Sequence, residues 1–115
     1  MPEASDTQPI LALIKDLMFS SRISAAGRAA GRAIHIVGDP AKLAGAGGRL
    51  LLVDLHQPGA IDAAVAWKGE TSGRILGFAS HVDADTIAKA RAAGFDQVLA
   101  RSAFVSQLDS ILKNG

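Results

Sequence analysis

Residues 50–59 read LLLVDLHQPG, and this stretch decides the fold. Residues 50–53 are four apolar side chains in a row, with no polar alternation. Such a run suits a strand buried on both faces, as in a parallel sheet covered by helices. Asp54 closes the run, and Pro58-Gly59 imposes a turn before the next segment. Residues 61–68 (IDAAVAWK) then read as a short helix. A buried strand that passes through a turn into a helix is one half of a βαβ unit.

The same alternation extends in both directions. Upstream, residues 10–14 (ILALI) form a second continuous apolar run that ends at Lys15-Asp16. Residues 19–30 follow as a helix, with Ile23, Ala26 or Gly27, and Ala30 at helical spacing, and Gly27 lowers its propensity. Residues 33–37 (AIHIV) read as a strand stopped by Gly38-Asp39-Pro40, and the Ala/Gly-rich residues 41–48 as a small helix or loop. Downstream, residues 69–73 read as a turn and residues 75–79 (ILGFA) as a fourth strand. Asp83 has the character of an N-cap, with Asp85 favourable in the first turn of a helix over residues 84–93, which Gly94 stops. Residues 97–100 are a fifth strand. Ser102 reads as the cap of a last helix, where Phe104, Leu108, Ile111 and Leu112 make an apolar stripe of period near 3.6.

Five β-α repeats predict an α/β three-layer sandwich, a five-stranded parallel sheet with helices on both faces. Right-handed crossovers favour the flavodoxin-like strand order 2-1-3-4-5, and ligands in that architecture sit at the carboxyl ends of the strands. Residues 1–9 read as a flexible N-terminal tail and residues 10–115 as a single domain. At 115 residues, no attached DNA-binding unit is expected. The formal charge of +1 gives no footprint for nucleic acid or an anionic membrane. With no cysteine there is no thiolate nucleophile or Cys-based zinc site, which suits a cytoplasmic protein. No apolar run approaches the roughly 20 residues of a membrane helix.

The predicted strand ends carry Asp16, Asp54, Ala79-Ser80-His81 and Arg101-Ser102. Two carboxylates at neighbouring ends suit a hard cation such as Mg²⁺, and a cation on strand five suits an added phosphoryl group. A plain alternative is that charges end buried strands because the chain is reaching water. His35, mid-strand, reads as a surface or satisfied histidine. Gly45-Ala46-Gly47-Gly48 precedes a strand, whereas a phosphate cradle follows one and opens a helix.

Residues 50–59 resemble the third-strand segment of response-regulator receiver domains, where an apolar strand ends in the phosphoacceptor Asp and the loop runs D-L-x-x-P-G. Residues 75–104 (ILGFASHVDADTIAKARAAGFDQVLARSAF) are similar to that family's fourth strand, fourth helix, Ala-Gly and fifth strand, with no gap needed from the strand to Arg101. The resemblance spans residues 10–112. It implies Asp54 as the phosphoacceptor, and Asp16 as the second acid of the family's acidic pair, so that Mg²⁺ would sit on Asp16 and Asp54. Lys15 occupies the first acid's place, a charge reversal that alters the site. The family's Thr or Ser at the end of strand four falls on Ala79. Ser80, one residue late, takes that role only if a one-residue deletion follows it. The family's Lys falls on Arg101 and its aromatic switch residue on Val98.

These departures imply weak Mg²⁺ binding and a broken route from phosphoryl group to surface change. The resemblance therefore predicts a degenerate receiver-like, non-enzymatic signalling module acting through protein contacts, with phosphorylation of Asp54 left open because both acids are present. Its expected partners are a histidine kinase, a downstream signalling protein or a second copy, on a face carrying Lys89, Arg91, Gln97 and Gln107. The alternative is a small flavodoxin-like domain that binds a small molecule, or catalyses a reaction, at the strand ends. The missing phosphate cradle and an aromatic content of 4% argue against it.

Overall fold

The computed structural model describes residues 9–114. Except for Pro9, the expected tail lies outside the described residues. Strands β1 (Ile10–Leu13), β2 (Ile34–Val37), β3 (Leu50–Asp54), β4 (Arg74–Ala79) and β5 (Gln97–Ala100) form one parallel sheet in the order β2-β1-β3-β4-β5. The helices are α1 (Leu17–Ala29), α2 (Ala60–Thr71), α3 (Ala84–Ala93), α4 (Arg101–Ser106) and α5 (Leu108–Asn114), with a 3-10 turn over Pro40–Leu43. This is the α/β sandwich and strand order expected from the sequence. Among the described residues no helix is long and apolar enough to cross a membrane.

Successive side chains of a strand point to opposite faces, and this sorts the core into two layers. Leu11, Leu13, Leu51, Val53 and Ile75 pack with Ala64 and Trp67 of α2 and Ala90 of α3. Ile10, Ala12, Leu50, Leu52, Leu76 and Phe78 pack with Ile23 of α1, Phe104 of α4 and Leu108 and Leu112 of α5. β3 runs between the layers with every residue buried, which is why its sequence lacks polar alternation. By the same parity Asp54 shares the face of Leu50 and Leu52, the face covered by α1 and α4.

Several boundaries differ from the sequence expectation for local reasons. α1 begins at Leu17, two residues early, because Asp16 Oδ1 accepts from the N–H groups of Met18 and Phe19 at 2.9 and 3.3 Å. α2 does not stop at Lys68, so residues 69–71 are helix and not turn. Thr71 Oγ1 donates to Trp67 O at 2.9 Å, and Ser72 ends the helix in the left-handed region at φ 61°. Ser102 is not a cap, since α4 starts at Arg101, and the final helix is interrupted at Gln107. Asp83 holds the N-cap position of α3, but its carboxylate makes no capping bond. Residues 41–48 contain only the end of the 3-10 turn and then loop.

Two readings gain a physical reason. A Cβ on Gly27 would lie 2.2 Å from Ile34 Cγ1, so the glycine that weakens α1 as a helix lets it close onto β2. Trp67 is fully buried, and its indole N–H donates to Ala46 O at 2.7 Å. The Gly-rich loop is thus the acceptor for a core tryptophan.

Candidate functional site

Asp54 is the last residue of the central strand and is 7% exposed. Burying a carboxylate is costly unless its oxygens find partners. Oδ1 accepts the N–H of His56 at 3.1 Å, a local bond that shapes the turn after β3. Oδ2 faces Arg101 Nη2 at 3.9 Å. That separation is too long for a hydrogen bond but short for charge attraction. Arg101 therefore makes no bidentate hydrogen-bonded fork with Asp54.

Aromatic packing decides where the guanidinium goes. Phe78 and Phe104 stack at 4.3 Å between centroids, and Phe19 of α1 leans on both at 5.2 and 5.9 Å. Arg101 Cζ lies 4.4 Å from the Phe19 centroid and 5.8 Å from that of Phe78. A planar guanidinium on a ring face gains cation–π attraction of roughly 0.5–1 kcal/mol at a partly exposed site. Arg101 also buries its Nε without a hydrogen-bond partner. Its position is thus a compromise between the Phe19 ring and the Asp54 carboxylate. Phe19 was not among the residues singled out in the sequence. The pairing of Asp54 with Phe78 across β3 and β4 brings the aromatics beside the acid, and that register is not written in any local motif.

A second contact ties two loops above the sheet. His56 Nε2 accepts the backbone N–H of Ser80 at 3.1 Å, and Nδ1 stands 3.6 Å from Asp83 Oδ2. An accepting Nε2 places the proton of a neutral imidazole on Nδ1, toward the carboxylate. This explains why Asp83 caps nothing. Ala79 is the last residue of β4 and is fully buried. Ser80 Oγ accepts from Val82 N at 3.4 Å, within its own loop. Neither residue makes a hydrogen bond with Asp54. His81 and His35 are exposed.

Asp16 and Lys15 are both exposed. Asp16 uses Oδ1 as the cap of α1. Among the described residues Arg101, and not Lys15, makes the ion-pair contact with Asp54. Mg²⁺ requires a near-octahedral shell of oxygens. No three His, Asp or Glu side chains converge among the described residues, and the outer oxygen of Asp54 already faces a guanidinium. The Asp54 oxygen that would hold such an ion therefore already has a positive charge beside it.

No family model matches the chain, and no curated protein matches it by sequence. Its shape, in contrast, is that of many solved response-regulator receivers. The receiver domain of NtrX from Brucella abortus is 14% identical, with a TM-score of 0.75 over 91% of this chain and 95% of that one. The BeF3-activated receiver domain of DrrB is 12% identical, with a TM-score of 0.79 over 94% and 96%. A response regulator from Burkholderia pseudomallei, solved with a phosphorylated aspartic acid, a calcium ion and citrate, is 15% identical with a TM-score of 0.72 over 93% and 69%. The chain has the receiver-domain fold.

Proposed function

We propose that the chain is a receiver-fold signalling module that acts through protein contacts and keeps its strand-end site in a single charge state. The observation that carries this reading is Arg101, laid on Phe19 and 3.9 Å from Asp54. A switching receiver needs a free carboxylate nucleophile, a divalent cation on its oxygens and a donor for the phosphoryl group. Here a built-in guanidinium takes the cation's place, the second acid caps a helix, and in the ungapped register the strand-four position falls on Ala79. The neighbour from Burkholderia pseudomallei, with its phosphorylated aspartic acid and calcium ion, has the state that this arrangement disfavours.

Partner contact is assigned to the face of α3, β5 and the final helices. Lys89, Arg91, Gln97 and Gln107 are all exposed there. A histidine kinase, a downstream signalling protein or a second copy would meet a polar, mainly basic surface. The deciding experiment is incubation with Mg²⁺ and a small phosphodonor, followed by intact mass measurement. Slow or absent modification of Asp54 is expected. Rapid stoichiometric gain of a phosphoryl group, lost in Asp54→Ala, would show a working receiver site and overturn the reading.

A further inference from the structure

A cleft of about 310 Å³ lies between α5 and the amino halves of β4 and β5, at the opposite end of the sheet from Asp54. Small-molecule sites run from roughly 300 to 1,000 Å³. Its floor is apolar, made by Leu50, Leu76 and Ile111, and Gln97, Gln107 and Ser110 give it a polar rim.

Only two of the lining residues ionise, Arg74 and Asp96, and strand parity separates their charges. Arg74 pairs with Leu50 and stands two residues before Leu76, so its side chain projects on the cleft's face of the sheet. The Asp96 carboxylate turns to the other face. Both its oxygens accept from Lys68 of α2, and one also accepts from Ile75 N. Its charge is therefore already matched, away from the cleft.

Arg74 has no such match. Among the described residues its guanidinium makes one hydrogen bond, from Nη2 to Asn114 O at 3.5 Å, beyond the usual range for an N–H donor. Capping the end of α5 does not account for it, because Arg32 Nη2 already donates to the neighbouring Lys113 O at 2.8 Å. An exposed guanidinium fork thus stands beside an apolar floor. Such a fork matches the two oxygens of a carboxylate. We propose that this cleft binds a small carboxylate with an apolar body, of the arylacetic or branched-chain acid class. The carboxylate takes Arg74, and the body covers Leu50, Leu76 and Ile111. A phosphate or dicarboxylate suits the cleft less well, since one cation faces it and the floor offers no further donor.

Phenylacetate is the probe. Phenylacetamide keeps its shape without the charge, and acetate keeps the charge without the ring. The measurement is an amide nitrogen–proton NMR titration of the full chain, without Mg²⁺ or phosphodonor, so its result is independent of the Asp54 reading. Saturable shifts of the Leu76, Gln97 and Ile111 amides are expected at about millimolar phenylacetate. Both controls should bind at least about tenfold more weakly, the effect for the amide of losing a hydrogen bond to a charged group. Arg74→Gln, at an exposed position, should fold and weaken binding to the same degree. Arg32→Gln should leave binding unchanged, because Arg32 serves the same helix end without lining the cleft. Absence of saturable shifts at these amides, equal binding of either control, unchanged binding in Arg74→Gln, or equal losses in the two variants would each overturn the proposal. The wild-type titration with its two controls decides alone if a variant fails to fold.

Discussion

At the scale of single residues, the informative pair is Asp54 and Arg101. The carboxylate is buried, whereas the Arg101 side chain is 40% exposed, so water screens their attraction. A fully buried pair would lose roughly 3–5 kcal/mol on removal of one partner. Here Asp54→Ala removes one screened contact and the His56 N–H bond, and a destabilisation of about 1–2 kcal/mol is expected. Urea melts of the two proteins with and without Mg²⁺ measure it. A variant more stable than wild type, with Mg²⁺ stabilising only the wild type, would contradict the built-in cation. Asp54 and Arg101 were legible through the resemblance and the run of strand ends. The seating of Arg101 on Phe19 was not, because it depends on how α1 lies across the sheet.

At the scale of elements, helix ends carry most of what local rules left open. Asp16 follows an apolar strand and precedes a helix, so its sequence position fits a site acid and a cap equally well. The two roles separate under substitution. Asn caps as well as Asp does, whereas Ala does not. Asp16→Asn should therefore stay near wild-type stability, and Asp16→Ala should lose about 1 kcal/mol, both read by thermal melts. Equal losses in the two variants would mean that the charge, not the cap, matters. Asp83 illustrates the converse: it looks like a cap, but His56 from another loop engages it. No local pattern announces that contact. The end of α3 is legible in the sequence because Gly94, at φ 107°, stops it. Gly27 belongs at this scale too. Gly27→Ala gains helix propensity, yet its Cβ meets Ile34 at 2.2 Å. Overpacking of this kind costs about 1–3 kcal/mol, so the variant should be less stable than wild type. A rise in its melting temperature would show that α1 can shift away from β2 freely.

At the scale of the whole molecule, Asp96, in the connection between α3 and β5, fastens α2 and β4 together. Both its oxygens accept from Lys68 Nζ of α2, at 2.7 and 2.6 Å, and Oδ2 also accepts from Ile75 N of β4 at 2.8 Å. Burial pushes this carboxyl up, but the Lys68 hydrogen bond, the Ile75 N–H and the charges of Lys68 and Arg74 outweigh it and hold it below its ordinary 3.8. The unfolded chain therefore takes up this proton at a higher pH than the folded one. The resulting stability is complete above the unfolded value and is lost as pH falls through the folded value. Because the pair is more than a third exposed, the contribution at neutral pH is modest, about 1 kcal/mol. Asp96→Asn should melt below wild type at pH 7, and the gap should close at strongly acid pH. A gap that persists there would assign the effect to packing.

The sealed environment of Trp67 has an optical consequence. The chain contains one tryptophan and no tyrosine, so its near-ultraviolet emission comes from a single indole. That indole bonds to Ala46, and its ring would meet a Cβ on Gly73 at 2.4 Å. Both residues precede strands, so the fluorophore reports from the amino ends of the sheet, whereas Asp54 lies at the carboxyl end of β3. Events confined to Asp54 should leave the emission colour unchanged, while unfolding of the sheet should shift it to the red. The protein thus carries an intrinsic light source that registers loss of the fold and stays dark to the chemistry of its opposite rim.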